Sequence, residues 1–423
     1  MERSDVLYAL KRLHGEARIA LELGDLEVVE DLTYLIYELV LQARNYNRYN
    51  HMATRCYFLR PSLVWPEGSA WAQIRNYCTN MSLINFIRVD WPLFSSILAN
   101  FDPDDVAWRD GFTDATRTQK RPGRPTLLDS ADVLALTLAY LTSTSNQKQL
   151  EMLFGMTKTS ISDMIWGEGI PMLLRALDRM PAAAVRWPTF EEQRENAYLV
   201  EMNYGPCPLG AGIHVFGFMD GMRCRCTNPS NIGVQNLFYN GWEGHVNVVN
   251  NFVVDPQGRI IDAIINRPGS LNDYTLASSV FMKLSNPEWT LPGYVLAADS
   301  GYVSNATQQT VAHLHFAPEG EPVSADARRA YTTWQLTVRK AAEWAMHIVQ
   351  SLFPRLTVLM SGSSEKRNAI ITACVKLNNL IANNMDRNQI KTVYMSALRH
   401  DWEEAQAWAR AVDAAREAAA GNA

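Results

Sequence analysis

Asp220, Asp299 and Glu343 are the residues of this chain whose type and setting best suit them to chemistry. Asp220 closes an apolar run over 213–219 and is followed at once by Gly221. Asp299 closes a second run over 293–298 and opens Ser300-Gly301-Tyr302. Glu343 lies in an amphipathic stretch, one helical turn after Arg339. Carboxylates at the ends of two buried strands and on a nearby helix, once brought together, hold two hard divalent cations over a phosphodiester, activating water and stabilising the leaving oxygen. Plainer readings stand beside this one: an Asp-Gly turn for Asp220 and a solvated helix position paired with Arg339 for Glu343. The balance shifts because two of the acids follow directly on apolar strands, where a carboxylate has no structural purpose. Asp255 reads as a turn residue, and Asp262 as an outward strand position.

The elements that must position these acids are legible in part. Apolar residues recur at helical spacing over 6–23 and 28–41, broken by Gly24, and the first ~110 residues read as mostly helical. A basic, polar stretch over 117–124 (Arg-Thr-Gln-Lys-Arg-Pro-Gly-Arg) reads as a linker, or as an AT-hook-like segment whose Arg121 and Arg124 enter a minor groove. The pattern predicts a helix over 127–142 capped by Asp129 or Ser130, then two short helices, 146–154 and 157–165, around Gly155-Met156. That pair fits a helix-turn-helix with Lys158, Thr159 and Ser160 at the start of a recognition helix; it also fits a helical hairpin packed on the next domain. From Gly212 the texture is that of strands, at 213–219, 246–254 and 260–265, with Asp255-Pro-Gln-Gly258 turning the last two into a hairpin. Helices are expected over 272–284, 305–314, 328–352 and 366–384, with a helical tail over 402–423. The expected fold class is α/β (α+β), a mixed sheet flanked by helices behind an all-α N-terminal region, compatible with a ribonuclease-H-like core. The expected divisions are 1–116, 117–126, 127–200, 201–390 and 391–423.

With 423 residues, 47% hydrophobic and 20% charged, the chain has room for two or three ordinary globular domains. A net charge of −5 argues against a wholly electrostatic nucleic-acid binder, so any DNA contact must use local patches. No signal peptide and no bilayer-length apolar stretch is seen, and six cysteines suit a reducing compartment. Cys224 and Cys226 lack a second ligand pair at zinc-finger spacing.

The stretches Met219-Asp-Gly-Met-Arg-Cys-Arg-Cys226 and Gln235-Asn-Leu-Phe-Tyr-Asn-Gly-Trp-Glu-Gly-His245 resemble PIF/Harbinger-type transposases and their HARBI-like relatives. Asp255-Pro-Gln-Gly258, Pro268-Gly-Ser-Leu-Asn-Asp273, Ala298-Asp-Ser-Gly-Tyr302, Arg339-Lys-Ala-Ala-Glu343 and Ile371-Thr-Ala-Cys-Val-Lys-Leu-Asn-Asn379 continue the series, over about residues 125–385. The resemblance implies a DDE endonuclease on a ribonuclease-H-like fold, using two divalent cations, Mg²⁺ or Mn²⁺, in cut-and-paste transposition. It maps the metal-binding acids onto Asp220, Asp299 and Glu343. It implies double-stranded DNA (transposon ends and target) as substrate, a Myb/SANT-like accessory protein, a homo-oligomer and a nuclear location. Its alternative is a domesticated, non-cleaving DNA-binding protein. Where relatives often carry Lys and Gln on the second strand, this chain has Val248 and Asn250; Gln350 and Asn378 replace a basic residue and a His.

His245, Asp273 and Arg339 are further candidates for phosphate or supporting contacts. His245 either meets the scissile phosphate or is a hydrogen-bonded strand residue, and Asp273 either supports the acids or caps the helix beginning beside it. Tyr302 is expected in the core.

Overall fold

Two long helices open the chain, α1 (Arg3–Leu23) and α2 (Leu26–Arg55), folded back on each other at Gly24, whose φ of +74° suits a residue without a Cβ. The computed structural model describes residues 3–55, 62–77, 79–101, 128–208, 212–302, 311–312, 324–361 and 363–385. The basic stretch with Arg121 and Arg124, and the tail helix expected over 402–423, lie outside the described residues.

A helical layer follows, built from α3 (Ala70–Tyr77), α4 (Asn80–Ile87), α5 (Trp91–Phe101) and α6 (Ser130–Leu141). α6 is buried almost all round; Asp129 caps it, sharing a reciprocal capping box with Asp132. α7 (Gln147–Phe154) is capped by Asn146 and closed by Gly155 at φ +65°. A Cβ on Gly155 would lie 2.4 Å from the Val64 carbonyl oxygen, so the 64–66 backbone covers this turn. α8 (Lys158–Asp163) does not stop where the sequence pattern suggests. It widens into a π-helical turn over Met164–Gly169 and continues as α9 (Ile170–Asp178). Pro171 has no N–H for the carbonyl four residues back, and the Ile170 N–H reaches Ile165 O instead, so the helix carries on by slipping register.

α10 (Phe190–Tyr204) leads into the sheet. Its members are β1 (His214–Arg225), then after α11 (Ile232–Phe238) the short β2 (Tyr239–Asn240), β3 (His245–Val254) and β4 (Ile260–Pro268). α12 (Asp273–Leu276) and α13 (Ser278–Ser285) precede β5 (Tyr294–Ala297) and β6 (Val311–Ala312); α14 (Ala325–Leu352) and α15 (Ser364–Asn384) complete the described fold. β3 pairs antiparallel with β1, β4 and β2, while β5 runs parallel to β1 and β6 parallel to β5. The architecture is thus α+β, a mixed sheet with helices packed against it, α10 and α14 on β1 and α15 on β4.

Three local expectations change. β1 does not end at Asp220 but runs on to Arg225, with Gly221 opposite Asn251, so the Asp-Gly pair is a strand interior and no turn. Residues 311–312, expected in a helix, form β6 alongside Leu296 and Ala297; their parallel partner is distant in sequence and invisible to local periodicity. Asp262 is not free on an outer face but forms an ion pair with Lys283 of α13. Asp255 is a turn residue as expected, yet wholly buried, its carboxylate taking the Arg259 Nε at 2.6 Å and the N–H groups of Gln257 and Arg259.

Candidate active site

The three acids arrive from three elements that the sheet brings side by side. Asp220 sits mid-way along β1, Asp299 just past the end of β5, the strand parallel to β1, and Glu343 on α14, which packs against both strands. Asp220 is half-buried; Asp299 and Glu343 are exposed. Burial raises the Asp220 pKa to about 6, the Gly221 N–H at 2.7 Å pulls it back, and the negative charges of Asp299, Asp273 and Glu343 push it further up. Those three neighbours show that the carboxylates share one electrostatic neighbourhood.

Arg339 ties two of them together. Its Nη1 donates to Asp299 Oδ1 at 2.6 Å and its Nη2 to Glu343 Oε1 at 3.2 Å. The plainer reading of Glu343 holds, since it is solvated and paired with Arg339, and its charge also acts on Asp220. Among the described residues, no three Asp, Glu, His or Cys side chains are gathered closely enough to hold a metal ion as they stand. The guanidinium lies between Asp299 and Glu343 and is bonded to both.

Asp273 belongs to this neighbourhood and does not cap the adjoining helix. Asn272 is the cap, accepting the Thr275 N–H at 2.8 Å, which leaves the Asp273 side chain free to turn toward the sheet. Its position explains two glycines. A Cβ on Gly301 would lie 3.0 Å from Asp273 Oδ2, and one on Gly221 would lie 3.5 Å from Asp273 Oδ1 and 3.3 Å from the Tyr302 hydroxyl. Both glycines thus keep space open where the Asp273 carboxylate approaches the backbone beside Asp220 and Asp299. Burial raises the Asp273 pKa, Arg223 counters it, and Asp299 adds to it. Tyr302 is in the core as expected, its hydroxyl donating to Asn251 Oδ1 at 2.7 Å, with burial pushing its pKa far up.

Two residues of this neighbourhood carry no signal in the sequence reading. Arg223, on the exposed row of β1, lies 3.9 Å from Asp273 and donates to Glu243 at 3.3 Å. Glu243 also accepts from Asn247 Nδ2 at 2.8 Å and approaches His245 Nε2 at 3.1 Å. His245 is a half-buried strand residue held by Glu243 through its carboxylate and, at Nδ1, its backbone oxygen. The alternation of Arg223 and Arg225 with buried Met222, Cys224 and Cys226 was the available clue.

With this geometry in view, the comparison with known families bears on one part of the chain. Residues 219–379 match the family model of the DDE superfamily endonucleases. The matched segment begins one residue before Asp220, contains Asp273, Asp299, Arg339 and Glu343, and ends at Asn379. No curated protein and no solved structure matches the chain. Three positions noted in the sequence lie in the core of the matched segment: Val248 is fully buried, Asn250 holds Met222 O and the Asn266 N–H, and Asn378 donates to Gly258 O.

The candidate DNA-contact residues lie apart, at the start of α8. Thr159 is exposed, Lys158 and Ser160 are half-buried, and the Ser160 and Thr157 hydroxyls are 3.0 Å apart. Cys224 and Cys226 are both buried and unbridged.

Proposed function

We propose that the chain is a DNA endonuclease of the transposase type, with Asp220, Asp299 and Glu343 as the residues that hold two divalent cations, Mg²⁺ or Mn²⁺. The observation that carries this reading is that these acids sit on β1, just past the end of the adjoining β5 and on the helix packed against both, inside the segment that matches DDE superfamily endonucleases. Strand order and direction support a ribonuclease-H-like core: three antiparallel strands followed by two parallel ones, with the long helix of Glu343 laid against the first. The motif series supports the PIF/Harbinger subtype, and with it cut-and-paste transposition, a homo-oligomer, a Myb/SANT-like accessory protein and a nuclear location. The α7–α8 pair, with Lys158, Thr159 and Ser160, serves in this reading as the DNA-binding unit.

The donor set suits hard divalent cations, all oxygen and all anionic. Bound there, such cations would polarise the phosphodiester and share the charge of attacking and leaving oxygens. The chain's own groups do the rest. Asp220, Asp299 and Glu343 set the position of the charge, Arg339 and Arg223 offer donors to phosphate oxygens, and Tyr302 and Asn251 hold the base of the site rigid.

Incubation with supercoiled plasmid and Mn²⁺ tests the reading, with nicking or linearisation as the expected outcome. Asp299→Asn is expected to remove more than ~100-fold of that activity, since even outer-shell changes at metal sites cost about 10–100-fold. A second reading, a non-cleaving DNA-binding relative, draws on Arg339 lying between Asp299 and Glu343. It predicts DNA retention without cleavage under every divalent metal.

Arg339 separates the two further. If its guanidinium stands where a cation would sit, Arg339→Gln lowers the metal-free melting temperature by roughly 1–2 °C, the worth of two partly exposed ion pairs at about 1 kcal/mol together. Mn²⁺ then restores the loss, so the metal-induced shift is larger in the variant than in the wild type. Differential scanning fluorimetry with and without Mn²⁺ reads both, and a smaller shift in the variant would count against the substitution of one cation by the other.

A further inference from the structure

Trp242 is the most exposed large apolar side chain of the described residues, 95% accessible, at the tip of the turn joining β2 to β3. An indole left wholly in water is unfavourable, and here the backbone enforces it. Asn240 Oδ1 accepts the N–H groups of Trp242 and Glu243 at 3.0 and 3.1 Å, and Gly244, at φ +72°, closes the turn through the Asn240 carbonyl. Asn240 Nδ2 donates to Gly269 O at 2.9 Å, and Gly269 itself packs so closely that a Cβ there would lie 2.6 Å from Phe238 O. Phe238 is anchored in turn under the Arg367 guanidinium, 5.3 Å from its ring. The turn is therefore a fixed mount. The preceding α11 adds to the same lobe, burying none of its residues and leaving Ile232 and Leu237 exposed.

The lobe is continuous with the carboxylates. Glu243, next to Trp242, takes the Arg223 guanidinium, and Arg223 reaches Asp273 beside Gly221. The exposed Arg223 and Arg225 lie on the strand between lobe and acids. A rigid, solvent-facing indole on the lobe that holds the Arg223–Glu243 pair offers an unstacked nucleobase a π-face, and the exposed Arg225 further along β1 offers its phosphate a cation.

We propose that Trp242 stacks on an unpaired base of the DNA strand next to the phosphodiester held at the carboxylates, so that this protein prefers DNA with an unpaired end over fully paired duplex. This rests on the nuclease reading above and names the form of DNA that its site takes. A second copy of the chain covering the same lobe is the competing occupant, and solution mass separates the two.

The test uses the full-length chain with Ca²⁺ and a short duplex, either blunt or carrying a single-stranded tail labelled with 2-aminopurine beside the junction. Wild type is expected to bind the tailed duplex about ten-fold more tightly than the blunt one, by fluorescence anisotropy, and to quench 2-aminopurine. Trp242→Ala should abolish preference and quenching, Trp242→Phe should keep most of both, and melting temperatures should agree because the residue is exposed. Equal binding of both duplexes by wild type, or preference unchanged in Trp242→Ala, overturns the proposal while leaving the nuclease reading standing if plasmid is still cut. A fall in solution mass for Trp242→Ala with unchanged DNA preference assigns the lobe to a contact between copies and overturns it too. Wild-type protein that neither binds nor cuts DNA overturns both.

Discussion

Asp220→Asn yields a protein that no longer cuts DNA and yet, without metal, is more stable than the wild type. The two effects share one cause. Asp220 is half-buried, and burial together with the charges of Asp299, Asp273 and Glu343 raises its pKa from 3.8 to about 6. An acid whose folded pKa exceeds its unfolded value binds its proton more tightly in the fold, so metal-free stability falls as pH rises from about 4 through 6 and levels off above. A shift of this size corresponds to on the order of 2–3 kcal/mol at neutral pH. The amide keeps shape and still accepts the Gly221 N–H, but carries no charge to desolvate or repel, so the variant should regain most of that energy. Urea titrations at pH 4.5 and pH 7.5 without metal check it: the variant's advantage at the lower pH should be only about a third of that at the higher. On the proposed function the order should reverse in Mn²⁺, because the carboxylate that destabilises the free fold would be the one that holds the cations. Equal stability at both pH values would mean that Asp220 is better solvated than its neighbours imply.

How much of this was readable in the sequence depends on whether the cause was local. The caps of α6 and α7, the Asp255–Gly258 turn and the break at Gly24 were, because each is settled by the residues at that spot. The acids stood out because they follow apolar runs, and the endonuclease match covers that same segment. Their partners were not readable. Asp273 looked like a helix cap until Asn272 was seen in that place, and Arg223 and Glu243 matter only through contacts across the sheet. Asp220 looked like a strand end because the apolar run stops there; β3 nevertheless holds the polar half of β1 in the ladder as far as Arg225. β6 escaped for the same reason, its partner being β5. The continuation of α8 into α9 needed a π-turn, which periodicity at 3.6 residues does not represent.

Asn379→Ala should be among the most destabilising single substitutions in the molecule, though the residue is far from the chemistry. β4 pairs with β3 on one side only, so its other edge offers unpaired backbone groups at Ile260. Asn379, buried on α15, acts there as a missing strand: its Oδ1 accepts the Ile260 N–H at 2.7 Å and its Nδ2 donates to Ile260 O at 2.8 Å. The same Nδ2 reaches Ala184 O at 2.8 Å, tying the segment before α10 to the sheet. Alanine leaves the N–H and carbonyl of the buried Ile260, and the Ala184 carbonyl, without their side-chain partner. At ~1–3 kcal/mol for an unsatisfied buried group, the loss should reach about 3–4 kcal/mol. Asn383 is the matched control, one turn further along α15, exposed, and donating only to Ala182 O. Its alanine variant should shift the unfolding free energy by less than about 1 kcal/mol. Urea midpoints of the two variants at equal m-value decide the matter, because an Asn379→Ala loss no greater than that of Asn383→Ala would mean that α15 does not close the edge of the sheet.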